Sequence, residues 1–205
     1  MAAPVAIAHT HVHSMRLSAG TCAGAEALVA RVLAADGTAG FGFTLNEDAA
    51  VARDMAAWDA LGRSKGVSLA NLLGGAYRMQ ARVEKDESPC VAPDWAAFRK
   101  GVLDSRWKLL RIDPFAWGSV EAVQTLAASA AAFDLGIALL APNAHPWEIR
   151  YCASLLATLK GDDSKVILRI AAEKETLELK DTPGIGIDWA IEPGFAQIRW
   201  QNPQK

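Results

Sequence analysis

The chain has 205 residues, a formal net charge of −2 and an apolar fraction of 51%. This composition is typical of a folded globular protein and excludes an intrinsically disordered chain, which needs low hydrophobicity or high net charge. It gives no support to a nucleic-acid-binding protein, because such proteins usually carry a surplus of basic residues. The length is also below the roughly 250 residues that a complete (β/α)8 barrel takes.

The cysteines and the N-terminal sequence indicate a cellular compartment. Cys22, Cys90 and Cys152 are widely spaced and odd in number, which favours reduced thiols in a cytosolic protein. The N-terminal sequence lacks the basic region and the long apolar core of a signal peptide. No apolar run reaches the roughly 18 residues of a membrane span. We therefore expect a cytoplasmic protein that has no membrane partner.

The first part of the chain predicts a β-hairpin followed by helices. Residues 27–43 read ALVARVLAADGTAGFGF, in which two β-type runs flank Asp36 and Gly37. These two residue types tolerate positive φ, so they favour a tight hairpin turn. Asn46 is the predicted N-cap of the next helix, in which apolar residues recur at helical spacing.

Later in the chain, strand patterns alternate with helix patterns. The predicted strands are residues 107–112, 137–141 and 166–170, and the predicted helices are residues 119–133 and 146–160. A β-α-β-α-β order predicts parallel strands with right-handed crossovers. Paired glycines and prolines in the tail indicate turns around short strands.

Three histidines alternate near the N-terminus. His9, His11 and His13 would project from one face if this segment forms a strand. Such a face can bind Zn2+ or Ni2+ through imidazole nitrogens. The other interpretation is an exposed strand or a mobile terminus without a ligand.

Four segments, in chain order, carry motifs similar to those of one known family. VARVLAADGTAGFGF with MAAWDALGRSKGVSLANLLGG resembles the hairpin and helix of that family's capping domain. LLRIDPFAWGSVEAV is similar to its sixth barrel strand, and GIALLAPNAHPWE to its seventh strand and loop. ETLELKDTPGIGIDW is similar to the C-terminal segment that returns to the cap. The family is the enolase superfamily, in its mandelate racemase and muconate-lactonizing branch.

The resemblance implies an α/β fold with an α+β cap. An antiparallel hairpin plus helices, as in the enolase N-terminal domain, joins a partial (β/α) barrel layer of parallel strands. We expect cap-like elements in residues 1–80, barrel-like units in residues 81–175 and a returning segment in residues 176–205. In this family, a Mg2+ ion held by three acidic residues stabilises an enolate, while lysines or a His-Asp dyad move the proton.

The chain departs from the family between Gly75 and Asp113. That interval contains 37 residues, numbers 76 to 112. The family places barrel strands one to five there, and one β/α unit takes roughly 25 residues or more. The interval thus has room for one or two units, and the strands that carry the metal ligands are missing. We therefore assign no metal ligand and expect no cofactor, with Mg2+ only if the family chemistry is retained.

The candidate site residues follow the last barrel-like strands. The resemblance implies that Asp113 and His145 form a catalytic dyad, with Asn143 where the family often has histidine. Arg111 and Trp147, with Asn143, are candidate ligand-binding residues, because a guanidinium can bind a carboxylate and an indole can line a pocket. The alternative is structural: Asp113 shapes the turn before Pro114, and His145 caps the helix that begins at Pro146.

Two functions remain open at this stage. The first is a degenerate family member that binds a small acid or a partner without the usual Mg2+-dependent chemistry. The second is a mandelate racemase-like lyase or isomerase, of the sugar-acid dehydratase type, that abstracts the α-proton of a carboxylate. A partial barrel leaves strand edges open, so we also expect a homo-oligomer, or else a cap that folds over the exposed edge.

Overall fold

The computed structural model describes residues 6–18, 22–75, 80–85, 95–103, 108–160, 165–170, 176–178 and 181–200. The strands are β1 (Ile7–Arg16), β2 (Glu26–Ala34), β3 (Ala39–Thr44), β4 (Gln80–Lys85), β5 (Leu109–Ile112), β6 (Gly136–Ala141), β7 (Val166–Ile170) and β8 (Thr176–Glu178). The α-helices are α1 (Ala49–Lys65), α2 (Leu69–Leu72), α3 (Trp95–Leu103), α4 (Val120–Ala132), α5 (Pro146–Leu156) and α6 (Pro193–Gln197). Among the described residues, no helix has the length and apolar character needed to span a membrane.

The N-terminal sheet is antiparallel, in the order β1-β2-β3. The hairpin predicted at Asp36 and Gly37 is confirmed, and it connects β2 to β3. Gly37 has φ +87°, which an L side chain rarely adopts, and the Asp36 carboxylate accepts the Thr38 N–H at 2.8 Å. β1 adds the third strand, so His9, His11 and His13 lie in regular β structure rather than in a mobile terminus.

Helix α1 lies directly on one face of this sheet. Gly40 and Gly42 of β3 make the close approach possible, because a Cβ at Gly42 would lie only 2.6 Å from the backbone nitrogen of Ala56. The predicted N-cap, Asn46, is wrong by two residues. Asp48 caps the helix, because its carboxylate accepts the Ala50 N–H at 2.8 Å.

The second sheet has the strand order β5-β6-β7-β4-β8. Strands β5, β6, β7 and β4 run parallel, and β8 pairs antiparallel with β4. Helices α4 and α5 pack against the sheet at β6 and β7. The predicted fold class is confirmed: a cap-like antiparallel sheet with helices accompanies a partial barrel layer of parallel strands.

The predicted strand-like tail is wrong. Between residues 181 and 200 the structure has an isolated bridge from Gly184 to Ser68, a 3-10 turn (Trp189–Ile191) and helix α6. Backbone donors of the tail bind side chains instead of a neighbouring strand; the Ile185 N–H, for example, donates to the Asp59 carboxylate at 2.9 Å. Pro193 supplies the first turn of α6, where its missing N–H costs nothing.

Asp59 ties this tail to the cap. Its carboxylate is 1% exposed and accepts hydrogen bonds from the Phe41 N–H at 3.0 Å and from Arg63 Nε at 2.7 Å, besides that of Ile185. Burial raises its pKa, while the Arg63 charge and the backbone donors oppose that shift. One side chain of α1 therefore joins β3 and the C-terminal segment.

The contact between α1 and β3 gives a direct test of the fold. We expect Gly42→Ala to lower the free energy of unfolding by at least about 2 kcal/mol, because the added methyl group collides with rigid helix backbone. Gly194→Ala is the control, since a Cβ there would meet the flexible tip of Met15 at 3.1 Å. Urea unfolding measures both variants, and an unchanged Gly42→Ala protein would contradict the close packing.

Candidate functional site

The predicted site residues follow two neighbouring parallel strands. Asp113 comes directly after β5, and Asn143 and His145 follow the end of β6. The two strands pair in parallel, with Ile112 opposite Leu139. The carboxyl ends of β5 and β6 therefore bring these residues to the same edge of the sheet.

His145 is enclosed and uses both ring nitrogens. Its side chain is 0% exposed. Nδ1 accepts the backbone N–H of Trp147 at 3.2 Å and caps α5, so Nδ1 carries no proton. Nε2 lies 2.9 Å from Oε1 of Glu192, to which it donates in this tautomer. The partner of His145 is thus Glu192 and not Asp113.

Glu192 joins three distant parts of the chain. Its other oxygen, Oε2, accepts the backbone N–H and the hydroxyl of Ser18, both at 2.7 Å. The carboxylate is 0% exposed, and its charge is met by these two bonds together with that of His145. Sequence reasoning missed this residue because Ser18 and His145 lie far away along the chain and no spacing pattern links them.

Asp113 shapes a turn. Its Oδ1 accepts the backbone N–H of Phe115 at 2.9 Å, two residues further on. This is the geometry of an Asx turn, with Pro114 inside it. Burial raises the pKa of Asp113, and the backbone donors of Phe115 and Ala116 partly offset the shift. The catalytic role of Asp113 stays a prediction.

Glu148 is a buried carboxylate at the same edge of the sheet. It is 1% exposed and accepts the Asn143 backbone N–H at 3.0 Å and the Asn143 side-chain amide at 2.7 Å. The His145 backbone N–H also donates toward it, which completes a capping box in which His145 is the N-cap and Glu148 the third helical residue. Burial raises the pKa of Glu148, and the nearby charge of Asp113 adds to the shift.

Trp147 belongs to the core. Its ring is 0% exposed, and its indole Nε1–H donates to the carbonyl oxygen of Asp188 at 2.9 Å. The rings of Phe43 and Trp189 lie 5.3 and 4.8 Å away, centroid to centroid. The predicted pocket-lining position is therefore an aromatic contact between the cap and the C-terminal segment.

Two arginines lie on one face of the parallel sheet, opposite the face from which the buried Leu110 and Ile112 project. The register aligns Arg111 of β5 with Ala138 of β6 and Ile167 of β7, and Arg169 follows two residues later on β7. Because side chains alternate along a strand, Arg111 and Arg169 project from the same face. Both are half-buried. Arg169 was not predicted as a site residue, and its place becomes apparent only from the strand register.

The acidic residues that the structure describes do not fit a Mg2+ site of the family type. Within the described part of the chain, no three His, Cys, Asp or Glu side chains converge in a way that could hold a metal ion. Asp113 and Glu148, the carboxylates nearest the strand ends, are engaged by backbone N–H groups.

The raised pKa of Glu148 predicts how stability depends on pH. A carboxyl group whose pKa is higher in the folded state stabilises the fold most at acidic pH, and this contribution is lost as pH rises through the folded pKa. We expect the stability advantage of the unmodified protein over Glu148→Gln to shrink between pH 4.5 and pH 7.5 in urea unfolding. Glu47→Gln, at an exposed position, controls for net charge. An advantage that grows with pH would contradict the assigned burial effect.

Comparisons with known proteins place the fold. No family model and no curated protein matches the sequence. Among solved structures, an enolase from Pseudomonas fluorescens with bound magnesium, potassium and tartrate matches with a TM-score of 0.71 and 12% identity, covering 94% of this chain and 92% of that chain. A muconate cycloisomerase from Azorhizobium caulinodans also has a TM-score of 0.71 and 12% identity, covering 91% and 97%.

A third match extends the same pattern. A racemase from Streptomyces coelicolor A3(2) with bound magnesium has a TM-score of 0.70 and 11% identity, covering 94% of this chain and 100% of that chain. At this level of identity, the likeness shows the fold alone. The resemblance seen in the sequence is confirmed at that level: this chain has the fold of the enolase superfamily.

Proposed function

We propose that this chain uses the enolase-superfamily fold to bind a small carboxylate, without the Mg2+-dependent proton abstraction of the family. The observation that carries the proposal is the state of His145. Its ring is 0% exposed, with one nitrogen capping α5 and the other on Glu192. A histidine in this arrangement stabilises the fold and has no nitrogen left for a substrate.

Acid-base catalysis sets a geometric requirement that His145 does not meet. A general base must come within about 2.6–3.2 Å of the proton that it abstracts, directly or through one water. The rings of Trp147 and Phe43 lie 5.1 and 6.5 Å from the His145 ring, centroid to centroid, and Glu192 occupies Nε2. Contact with a substrate would require breaking a buried ion pair or hydrogen bond and the helix cap.

The two arginines of the parallel sheet support the choice of ligand. Arg111 and Arg169 present guanidinium groups on one face, and guanidinium binds carboxylate through paired hydrogen bonds. The enolase from Pseudomonas fluorescens contains tartrate, a dicarboxylate. We therefore assign a small hydroxy acid to this face as the ligand class.

The alternative is a lyase or isomerase that acts on the α-proton of a carboxylate. The muconate cycloisomerase and the magnesium-bound racemase among the fold matches support it, as do two carboxyl groups at the strand ends, the half-buried Asp113 and the buried Glu148. In this reading, His145 leaves Glu192 when substrate binds, and Asp113 orients it. This alternative requires Mg2+, for which the described residues offer no group of three ligands.

The open sheet edge supports a homo-oligomer as part of the proposal. In the described residues, β5 has a strand partner on one side only, namely β6. A second copy of the chain that pairs with β5 would satisfy its backbone groups and remove an aggregation hazard. We also propose a cytoplasmic location, which rests on the cysteine pattern of the sequence.

Thermal unfolding with added ligands tests the binding proposal. We expect tartrate at millimolar concentration to raise the Tm, because a ligand that binds only the folded state stabilises it, and Mg2+ alone to leave the Tm unchanged. Arg111→Met should abolish the tartrate shift. Arg53→Met, at an exposed position of α1, is the matched control and should keep it. A tartrate shift that survives Arg111→Met would overturn the assigned ligand face.

Proton exchange tests the choice between the two functions. We expect no exchange of the α-proton of tartrate in D2O with Mg2+ present, followed by proton NMR. Exchange that disappears in His145→Asn, a variant that retains a helix-capping side chain, would establish the lyase or isomerase alternative. Exchange that persists in that variant would point to a base other than His145.

A further inference from the structure

The antiparallel cap sheet has one covered edge and one open edge. Its two outer strands, β1 and β3, each pair with β2 on one side only. On the β3 edge, the Phe41 N–H points away from β2 and donates to the Asp59 carboxylate of α1 at 3.0 Å. The Phe43 N–H donates in the same way to Met55 Sδ, at 3.4 Å. Side chains of α1 therefore satisfy the outward N–H groups of these two β3 residues.

The β1 edge has no such cover. The Leu17 N–H donates to the Ala25 carbonyl oxygen at 2.9 Å, which continues the register between β1 and β2. In an antiparallel pair, residues that bond to the partner strand alternate with residues that point away from it. Counting back from Leu17, the backbone groups of Thr10, Val12 and Ser14 point away from β2. Within the part of the chain that the structure describes, these outward backbone groups have no hydrogen-bond partner.

The open edge lacks the features that usually prevent a strand from pairing with another chain. Edge strands are commonly protected by lysine, by proline or by a bulge. Between His9 and Arg16, β1 contains neither residue type, and its register shift lies before this stretch, between Ile7 and His9. With neutral histidines, Arg16 carries the only formal charge of the stretch. The edge is therefore suited to pairing with a further strand.

We propose that β1 is the interface for a second copy of this chain, which pairs with it in antiparallel orientation about a two-fold axis at Val12. Thr10 and Ser14 lie at equal distances along the strand from Val12, so two identical strands bring outward-facing residues opposite each other. Thr10 then faces Ser14 of the second copy at two places, where the hydroxyl groups can hydrogen-bond, and Val12 faces its own counterpart. The two cap sheets become one continuous sheet.

The matched pairing favours a second copy over an unrelated peptide as the occupant. Any extended peptide could bond to the outward backbone groups, but the pairing of Thr10 with Ser14 arises because both strands have the same sequence. A two-fold contact of this kind closes after two copies and leaves no further β1 edge exposed. The interface is separate from β5 and from the arginine face, so the proposed ligand binding does not depend on it.

Sedimentation velocity on the full chain tests the interface through charge. We expect the unmodified protein to sediment with twice the chain mass of 21.8 kDa. The double variant Thr10→Lys/Ser14→Lys should raise the Kd of the dimer by at least about tenfold, because like charges then face each other at two places. The matched control, Thr10→Glu/Ser14→Lys, should keep the Kd within about threefold, because opposite charges then face each other.

A disulfide tests the position of the two-fold axis. Val12→Cys should form a linked dimer under oxidising conditions, because directly opposite residues lie about 5.5 Å apart, Cα to Cα, within the range that a disulfide spans. Thr10→Cys, on the same edge, is the matched control. It should remain a single chain, as the unmodified protein does, because Thr10 faces Ser14 and not its own counterpart.

Circular dichroism confirms that each variant is folded, so a change in mass reports on the interface. A monomeric unmodified protein, a lysine double variant that dimerises as the unmodified protein does, or a Val12→Cys protein that does not form the linked dimer would each overturn the proposal. Loss of the dimer in Thr10→Glu/Ser14→Lys would overturn the antiparallel register. The tartrate shift of the Tm, measured on the lysine double variant, reports on the proposed function separately and should be retained.

Discussion

The buried pair of His145 and Glu192 is the interaction on which the arrangement of the chain depends. It joins the loop after β6 to the C-terminal segment, and the two bonds from Ser18 extend it to the cap. Removing either partner would leave the other buried without its hydrogen bond, which costs about 1–3 kcal/mol and more for a charged group. Cap, barrel layer and tail therefore meet at this pair. Asp59 makes a second connection between cap and tail, through the Phe41 and Ile185 N–H groups.

The same pair bears on whether the loop after β6 can take part in proton transfer. The loop after a barrel strand is where enzymes with this architecture place reactive groups. Here, that loop is occupied by a capping box formed by His145 and Glu148, and the turn after β5 is fixed by Asp113. Residue types that suit proton transfer are thus used as hydrogen-bond partners of the backbone. The proposed ligand face is instead the side of the sheet from which Arg111 and Arg169 project.

Local features of the fold could be predicted from the sequence, and long-range ones could not. The hairpin turn and the parallel strands are predicted correctly, because Asp36 and Gly37 favour the turn locally and each strand has its own apolar run. The hydrogen bond between His145 and Glu192 joins residues 47 positions apart, and no local sequence pattern indicates it. The tail was misjudged for the same reason, because the distant Asp59 binds its backbone. The predicted N-cap, Asn46, lies two residues before the observed one, Asp48. Helix ends are commonly misplaced by one or two residues. Cys90 lies outside the described residues.

The tautomer and accessibility of His145 test the central claim most directly. Long-range 1H–15N NMR correlations on uniformly labelled protein report which ring nitrogen carries the proton. The structure predicts a proton on Nε2, slow exchange of that proton with water, and ring signals that do not move when tartrate and Mg2+ are added. A proton on Nδ1, or rapid exchange together with a ligand-induced shift of the ring signals, would contradict a structural His145 and indicate a working base.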